Sequence, residues 1–383
     1  MRFLLVLLAV ILVLPGTAAA KDEAPAPSAT SQTSWAALRA DLRKKHRWRW
    51  TAATPKARKV RARVPGTVMR GLEWLRAHQS KNGSWEAAAF HKWLDGELSE
   101  RKVSLREVGP GRAIYDVGVT GLALTAFLVA GWDGTGTHAF DRTVRRGLVW
   151  LRTQQSPTGR FGKAVTSPAE HRLPDGRSFK RGTTLTDRAT WSYNQACATL
   201  AMTEAAALTG DTGWTKCAQR ALWQIASMRS PYYAWGYGEK DERCNTSVTT
   251  WMVLALGTAQ RVNQAEKKAG RKAPFEIDDS AFDGVKAWME RTTDPDTRVM
   301  GYTTRHQISS RNLDSAMRYL PADGAPLAAA GLLVRHLIGE RVVLNDAAAR
   351  FLRERTPRHF DPADFVHWHL GALALHRNGG DKW

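Results

Sequence analysis

Two stretches of this chain can be laid over one another without a gap: Arg70-Gly71-Leu72-Glu73-Trp74-Leu75-Arg76-Ala77-His78-Gln79-Ser80-Lys81-Asn82-Gly83-Ser84-Trp85 and Arg146-Gly147-Leu148-Val149-Trp150-Leu151-Arg152-Thr153-Gln154-Gln155-Ser156-Pro157-Thr158-Gly159-Arg160-Phe161. The shared frame is R-G-x-x-W-L-x-x-x-Q-x-x-x-G-x-aromatic. Val68, Leu72 and Leu75, and likewise Val144, Leu148 and Leu151, step by four and three, which makes one apolar face of a helix. Asn82-Gly83 and Thr158-Gly159 then stop each helix and turn the chain. Fainter copies follow. Ala218, Leu222 and Ile225 precede Trp235-Gly236, Ala281, Val285 and Trp288 precede Gly301-Tyr302, and Phe351-Leu352 opens a worn last copy.

A second kind of segment follows each of these. Tyr115-Asp116-Val117-Gly118-Val119-Thr120-Gly121-Leu122 aligns with Tyr193-Asn194-Gln195-Ala196-Cys197-Ala198-Thr199-Leu200 and with Cys244-Asn245-Thr246-Ser247-Val248-Thr249-Thr250-Trp251, and further copies start near Pro326 and Phe365. Leu122 to Ala130 and Leu200 to Leu208 are apolar or small nearly all round, the mark of a helix buried on several sides. One-sided and all-round helices therefore alternate, and each pair covers its neighbour as in other repeat proteins. The expectation is an all-α chain, an α/α toroid of about five helix hairpins with inner and outer helix rings around a central cavity.

The repeated frame resembles the QW motif of squalene and hopene cyclases. That resemblance implies that Gln79 with Trp85, and Gln155 with Phe161, tie the end of one outer helix to the next repeat. Over roughly residues 65–383 the chain is similar to exported bacterial prenyltransferase/squalene-oxidase repeat proteins, within the terpenoid cyclase and protein prenyltransferase toroids. The phrases that carry this are Tyr115 to Leu124, Ser247-Val248-Thr249-Thr250-Trp251, Ala372-Leu373-Ala374-Leu375 and the closing Gly379-Gly380-Asp381-Lys382-Trp383. The resemblance implies the fold far more than a reaction.

The ends suggest export. Met1-Arg2, the apolar run Phe3 to Leu14, Pro15-Gly16 and Ala18-Ala19-Ala20 read as a signal peptide over 1–20. Residues 21–64 form a linker and a basic, Trp-containing arm, and 65–383 the repeat domain. The expected location is secreted or periplasmic, with an uncleaved anchor as the alternative. The formal net charge is +20, and eleven of the basic residues crowd positions 39–63 around Trp48 and Trp50. Charge attraction with interfacial indoles suits an anionic membrane surface or a cell-wall polymer, and export argues against nucleic acid. Cys197, Cys217 and Cys244 are an odd count with no metal-type spacing.

No reaction is legible. Cyclase chemistry needs crowded carboxylates, one of them held protonated; the D-x-D-D motif is absent, and Asp278-Asp279 reads as an acidic helix start. The thioester Cys-Gly-Glu-Gln signature is absent too. Similarity to the prenyltransferases offers Glu242, Cys244 and His367 as weak zinc ligands, with one coordination position left open; neither a zinc ion nor any other cofactor is expected. His367 and His369 point to different helix faces, so with His376 they read as scattered. Asp116, Asn194 and Asn245 share one column and read as N-caps, which also sets them at the cavity mouth. The mouth candidates are Tyr115, Asp116, Tyr193, Asn194, Trp235, Asn245, Trp251, Asp364 and His367, and the expected ligand is an apolar or amphipathic small molecule. The alternative is an enzyme, either zinc prenyltransferase-like or cyclase-like on a terpenoid or prenyl substrate, or acting on a polysaccharide through two facing acids.

Overall fold

Each segment with one apolar face is a helix, and each all-round apolar segment is the helix packed beneath it. The computed structural model describes residues 64–87, 113–162, 170–172, 178–180, 185–307, 324–355 and 364–379. The one-sided helices are α1 (Gly66–Ala77), α3 (Ala139–Thr153), α5 (Thr212–Met228), α7 (Ser280–Thr292) and α9 (Ala347–Glu354). The all-round helices are α2 (Asp116–Val129), α4 (Leu185–Thr209), α6 (Thr246–Lys268), α8 (Ala325–Leu337) and α10 (Phe365–Asn378). The even-numbered helices pack one against the next in chain order, from α2 to α10. Helices α1, α3, α5 and α9 lie on them, and α7 sits against the turn that ends α5, where Gly284 lies under the Tyr233 carbonyl. Residues 1–20, expected to be a signal peptide, and residues 21–63 of the expected linker and basic arm lie outside the described residues.

Patterning explains the two layers. Helix α6 buries Val248 to Ala259 without a break, whereas α1 buries only Gly71, Leu72 and Leu75. The repeat frame joins neighbouring segments through hydrogen bonds. The Gln79 amide donates to the Gly83 carbonyl and to Thr143 O in α3, both at 2.9 Å. Gln155 donates to Cys217 O of α5 at 2.9 Å and accepts from Arg220 at 2.6 Å. Trp85 is buried, and its indole N–H bonds Leu75 O at 2.8 Å, while Phe161 is buried beneath the next repeat. Gly83 and Gly159 have φ of +100° and +92°, and a β-carbon there would lie 2.5 Å from Arg146 O and 2.0 Å from Arg220 O. Only glycine tolerates both the turn and that approach.

Two features depart from the sequence reading. Helix α4 starts at Leu185, well before Tyr193, because no Gly or Pro interrupts residues 185–208. A short antiparallel ribbon, β1 (Glu170–Arg172) with β2 (Ser178–Lys180), precedes it, pairing Glu170 with Lys180 and Arg172 with Ser178.

Candidate functional site

The site lies near the start of α6, beside the third turn of α4 and the segments that follow α5 and α7. Tyr193, the ninth residue of α4, shares a 2.7 Å hydrogen bond with Ser247 on the first turn of α6. Tyr237, in the connection from α5 to α6, lies beside it with ring centroids 6.4 Å apart, and its hydroxyl meets that of Tyr302 from the segment after α7. Tyr193, Tyr237 and Ser247 are half-buried and Tyr302 is buried. Burial, with the neighbouring phenols, pushes the Tyr193 and Tyr302 hydroxyls well above the ordinary tyrosine range. Both stay neutral and act as hydrogen-bond donors and acceptors.

Below this cluster Trp251 of α6 stacks on His369 of α10, with centroids 5.6 Å apart and planes 11° from parallel. Burial pushes the His369 imidazole down to about 4, so it is uncharged at neutral pH. At the far end, Glu204 of α4 stands near Arg261 of α6. Burial raises its carboxyl to about 7 against the pull of that guanidinium, and burial likewise lowers Arg261 to about 10. The Tyr193–Ser247 and Glu204–Arg261 pairs together set α4 and α6 parallel, with polar groups at both ends and an apolar middle.

Several residues chosen from sequence have other duties. Trp235 is not at a mouth: it is buried, and its indole N–H bonds Ile225 O at 2.8 Å, the geometry of Trp85. Asn194 is no N-cap of its own helix, because α4 already runs past it. Its side chain instead accepts from Gly118 N at 2.9 Å and donates to Ile114 O at 2.6 Å, closing the start of α2 from the neighbouring helix. Asp116 is the first residue of α2 rather than its cap, and its carboxylate accepts from Ala87 N at 2.7 Å. Burial raises it to about 6, against that hydrogen bond. Tyr115 ends a short 3-10 turn and is half-buried. Asn245 and Asp364 are N-caps, accepting from Val248 N at 2.9 Å and from Val366 N at 3.1 Å.

The zinc candidates do not converge. Glu242 is exposed, Cys244 is buried with its thiol toward Asp241 O, and the His367 ring lies 3.3 Å from Arg355 O. The described residues hold no cluster of three His, Cys, Asp or Glu side chains able to grip one ion. All three cysteines are buried and unbridged. Among the described residues, the two carboxyls that burial raises, those of Asp116 and Glu204, stand apart. Asn194 touches the start of α2, next to Asp116, and Glu204 lies ten residues further along α4, roughly 15 Å at 1.5 Å per residue. A hydrolytic carboxylate pair sits about 5–9.5 Å apart.

No family model matches this sequence, and no curated protein matches it. Among the described residues no helix is long and apolar enough to cross a membrane.

Tyr237, Ser247, Tyr302, Glu204 and Arg261 were not singled out from sequence. Glu204 had a signal: it is the lone charge in the apolar run Leu200 to Leu208, three turns beyond Tyr193 on the same helix face. Tyr302 was legible only as the closing aromatic of a faint repeat and Tyr237 not at all, because their approach is set by how α5 and α7 end.

Proposed function

We propose that the five helix pairs close into an α/α toroid whose lumen binds an apolar or amphipathic small molecule, with the ligand's polar end held by the tyrosine cluster. The Trp251–His369 stack supports closure. The two rings belong to α6 and α10, yet α8 is packed between those helices in the order of the chain. Side chains meet in this way only where the row of helices curves round on itself.

The observation that carries the binding reading is the convergence of Tyr193, Ser247, Tyr237 and Tyr302 from four segments. Their hydroxyls orient a ligand through neutral hydrogen bonds, and the rings supply apolar contact. The lone carboxyl of Glu204 marks the opposite polar end.

Titration with the amphipathic fluorophore anilinonaphthalene sulfonate tests this reading. Tyr193→Phe and Tyr237→Phe should each weaken binding about five- to tenfold, the worth of one hydrogen bond. Unchanged affinity in both variants would remove the cluster from the site.

A further inference from the structure

Away from the tyrosine cluster, one hollow is cut into the outer face between α5 and α7. Leu222, Trp223 and Ala226 of α5 form one wall, and Glu276, Ile277 and Asp278 form the other. Its volume is about 240 Å³, several times a water's share of liquid, so it has room for a side-chain ring. Trp223 is 52% exposed, with no ring stacked on it among the described residues, and the apolar floor continues into the core at Leu222. The rim is acidic. Glu276, Asp278 and Asp279 are exposed within four residues, and Arg229 is the cation that acts on Asp278. This is a local reversal of sign in a chain of net charge +20.

We infer that this hollow is the docking site for the chain's own basic arm, residues 39–63. The arm offers what the hollow lacks: eleven Lys and Arg side chains, with Trp48 and Trp50 among them. The hollow beside Ile277 and Ala226 has the size and apolar lining that an indole requires. Arg47 and Arg49 flank Trp48, and Arg49 adjoins Trp50, which matches a carboxylate rim and an exposed Trp223 face open to a cation. Reach is ample. Fourteen residues from Trp50 to Val64 span up to about 45–50 Å at 3.3–3.6 Å each. Helix α5 stands two joints from α1: the turn after α1 meets α3 at Arg146, and the turn after α3 meets α5 at Arg220. The arm is thereby held on the body, and a stronger anion displaces it.

Limited trypsin digestion of the full chain tests the inference, because the arm carries a dense set of cleavage sites. First cleavage within 39–63, read by mass spectrometry, should be at least fivefold faster in Glu276→Lys/Asp278→Lys and in Trp223→Ala than in the wild type. All three positions are exposed, and an unchanged thermal transition confirms that the body is intact. A synthetic 39–63 peptide added in excess should accelerate cleavage of the wild-type arm, and the same peptide with both tryptophans replaced by Ala should not. Equal cleavage rates in wild type and variants would overturn the docking. So would an arm cleaved equally fast in all of them and protected only when phosphatidylglycerol vesicles are added, which would make the arm a membrane tether instead.

Discussion

Replacing Trp85 by alanine is the sharpest test of the repeat architecture. The ring is 2% exposed, donates its N–H to Leu75 O at 2.8 Å, and lies against Phe127 with centroids 6.2 Å apart. It also presses on α3 at Gly147, where a β-carbon would stand 3.2 Å from the ring. Truncating a buried Trp costs about 3–5 kcal/mol through lost transfer energy and the cavity left behind. The Leu75 carbonyl keeps a 3.2 Å bond from His78 N, so loss of the indole donor leaves it partly satisfied and adds little. The expected loss is therefore about 3–5 kcal/mol in urea unfolding followed by circular dichroism. Trp235→Ala should match it, because Trp235 makes the same ten-residue bond to Ile225 O. Trp223→Ala, at an exposed ring, should stay within about 0.5 kcal/mol. A loss below about 1 kcal/mol at Trp85, or equal losses at Trp85 and Trp223, would refute the idea that the frame's aromatic anchors one repeat to the next.

Gln79→Ala removes two bonds to backbone carbonyls and should cost about 1–3 kcal/mol in the same assay, with Gln79→Glu no rescue because a carboxylate cannot donate. Glu204 links stability to pH. Its folded value of about 7 exceeds its ordinary 4.5, so the folded state retains a proton that the unfolded state releases. Stability should fall as pH rises from about 4.5 to 7 and level off above, by on the order of 1–3 kcal/mol, and Glu204→Gln should abolish that component of the pH profile. His369 acts in the opposite sense, costing stability as pH falls from its ordinary 6.5 toward 4. Ring closure is testable by distance. Spin labels at Thr135, just after α2, and at Arg377, near the end of α10, should report less than about 25 Å in a closed ring, whereas an open row of five helices at 8–10 Å spacing would hold them about 32–40 Å apart.

The sequence by itself determined the helices, their alternation and the joints between repeats. The reason is local. A buried helix must be apolar all round, a covering helix on one face, and a left-handed turn pressed on a backbone demands glycine, as at Gly83 and Gly159. Gln79, Trp85, Gln155 and Phe161 were legible because their partners recur at fixed offsets along the chain. Asn194 shows where such reasoning stops. Its column looks like a helix start, but a residue type suited to capping serves a neighbouring helix equally well, and only packing places it against Gly118 N. Trp235 was assigned to a mouth because an aromatic fits either a lumen or a core, and the depth of its burial decided between them. The tyrosine cluster, the Trp251–His369 stack and the Glu204–Arg261 pair join residues 44 to 118 positions apart. No local periodicity encodes such distances. They follow from the register in which one buried helix lies on the next, and that register is a property of the assembled core.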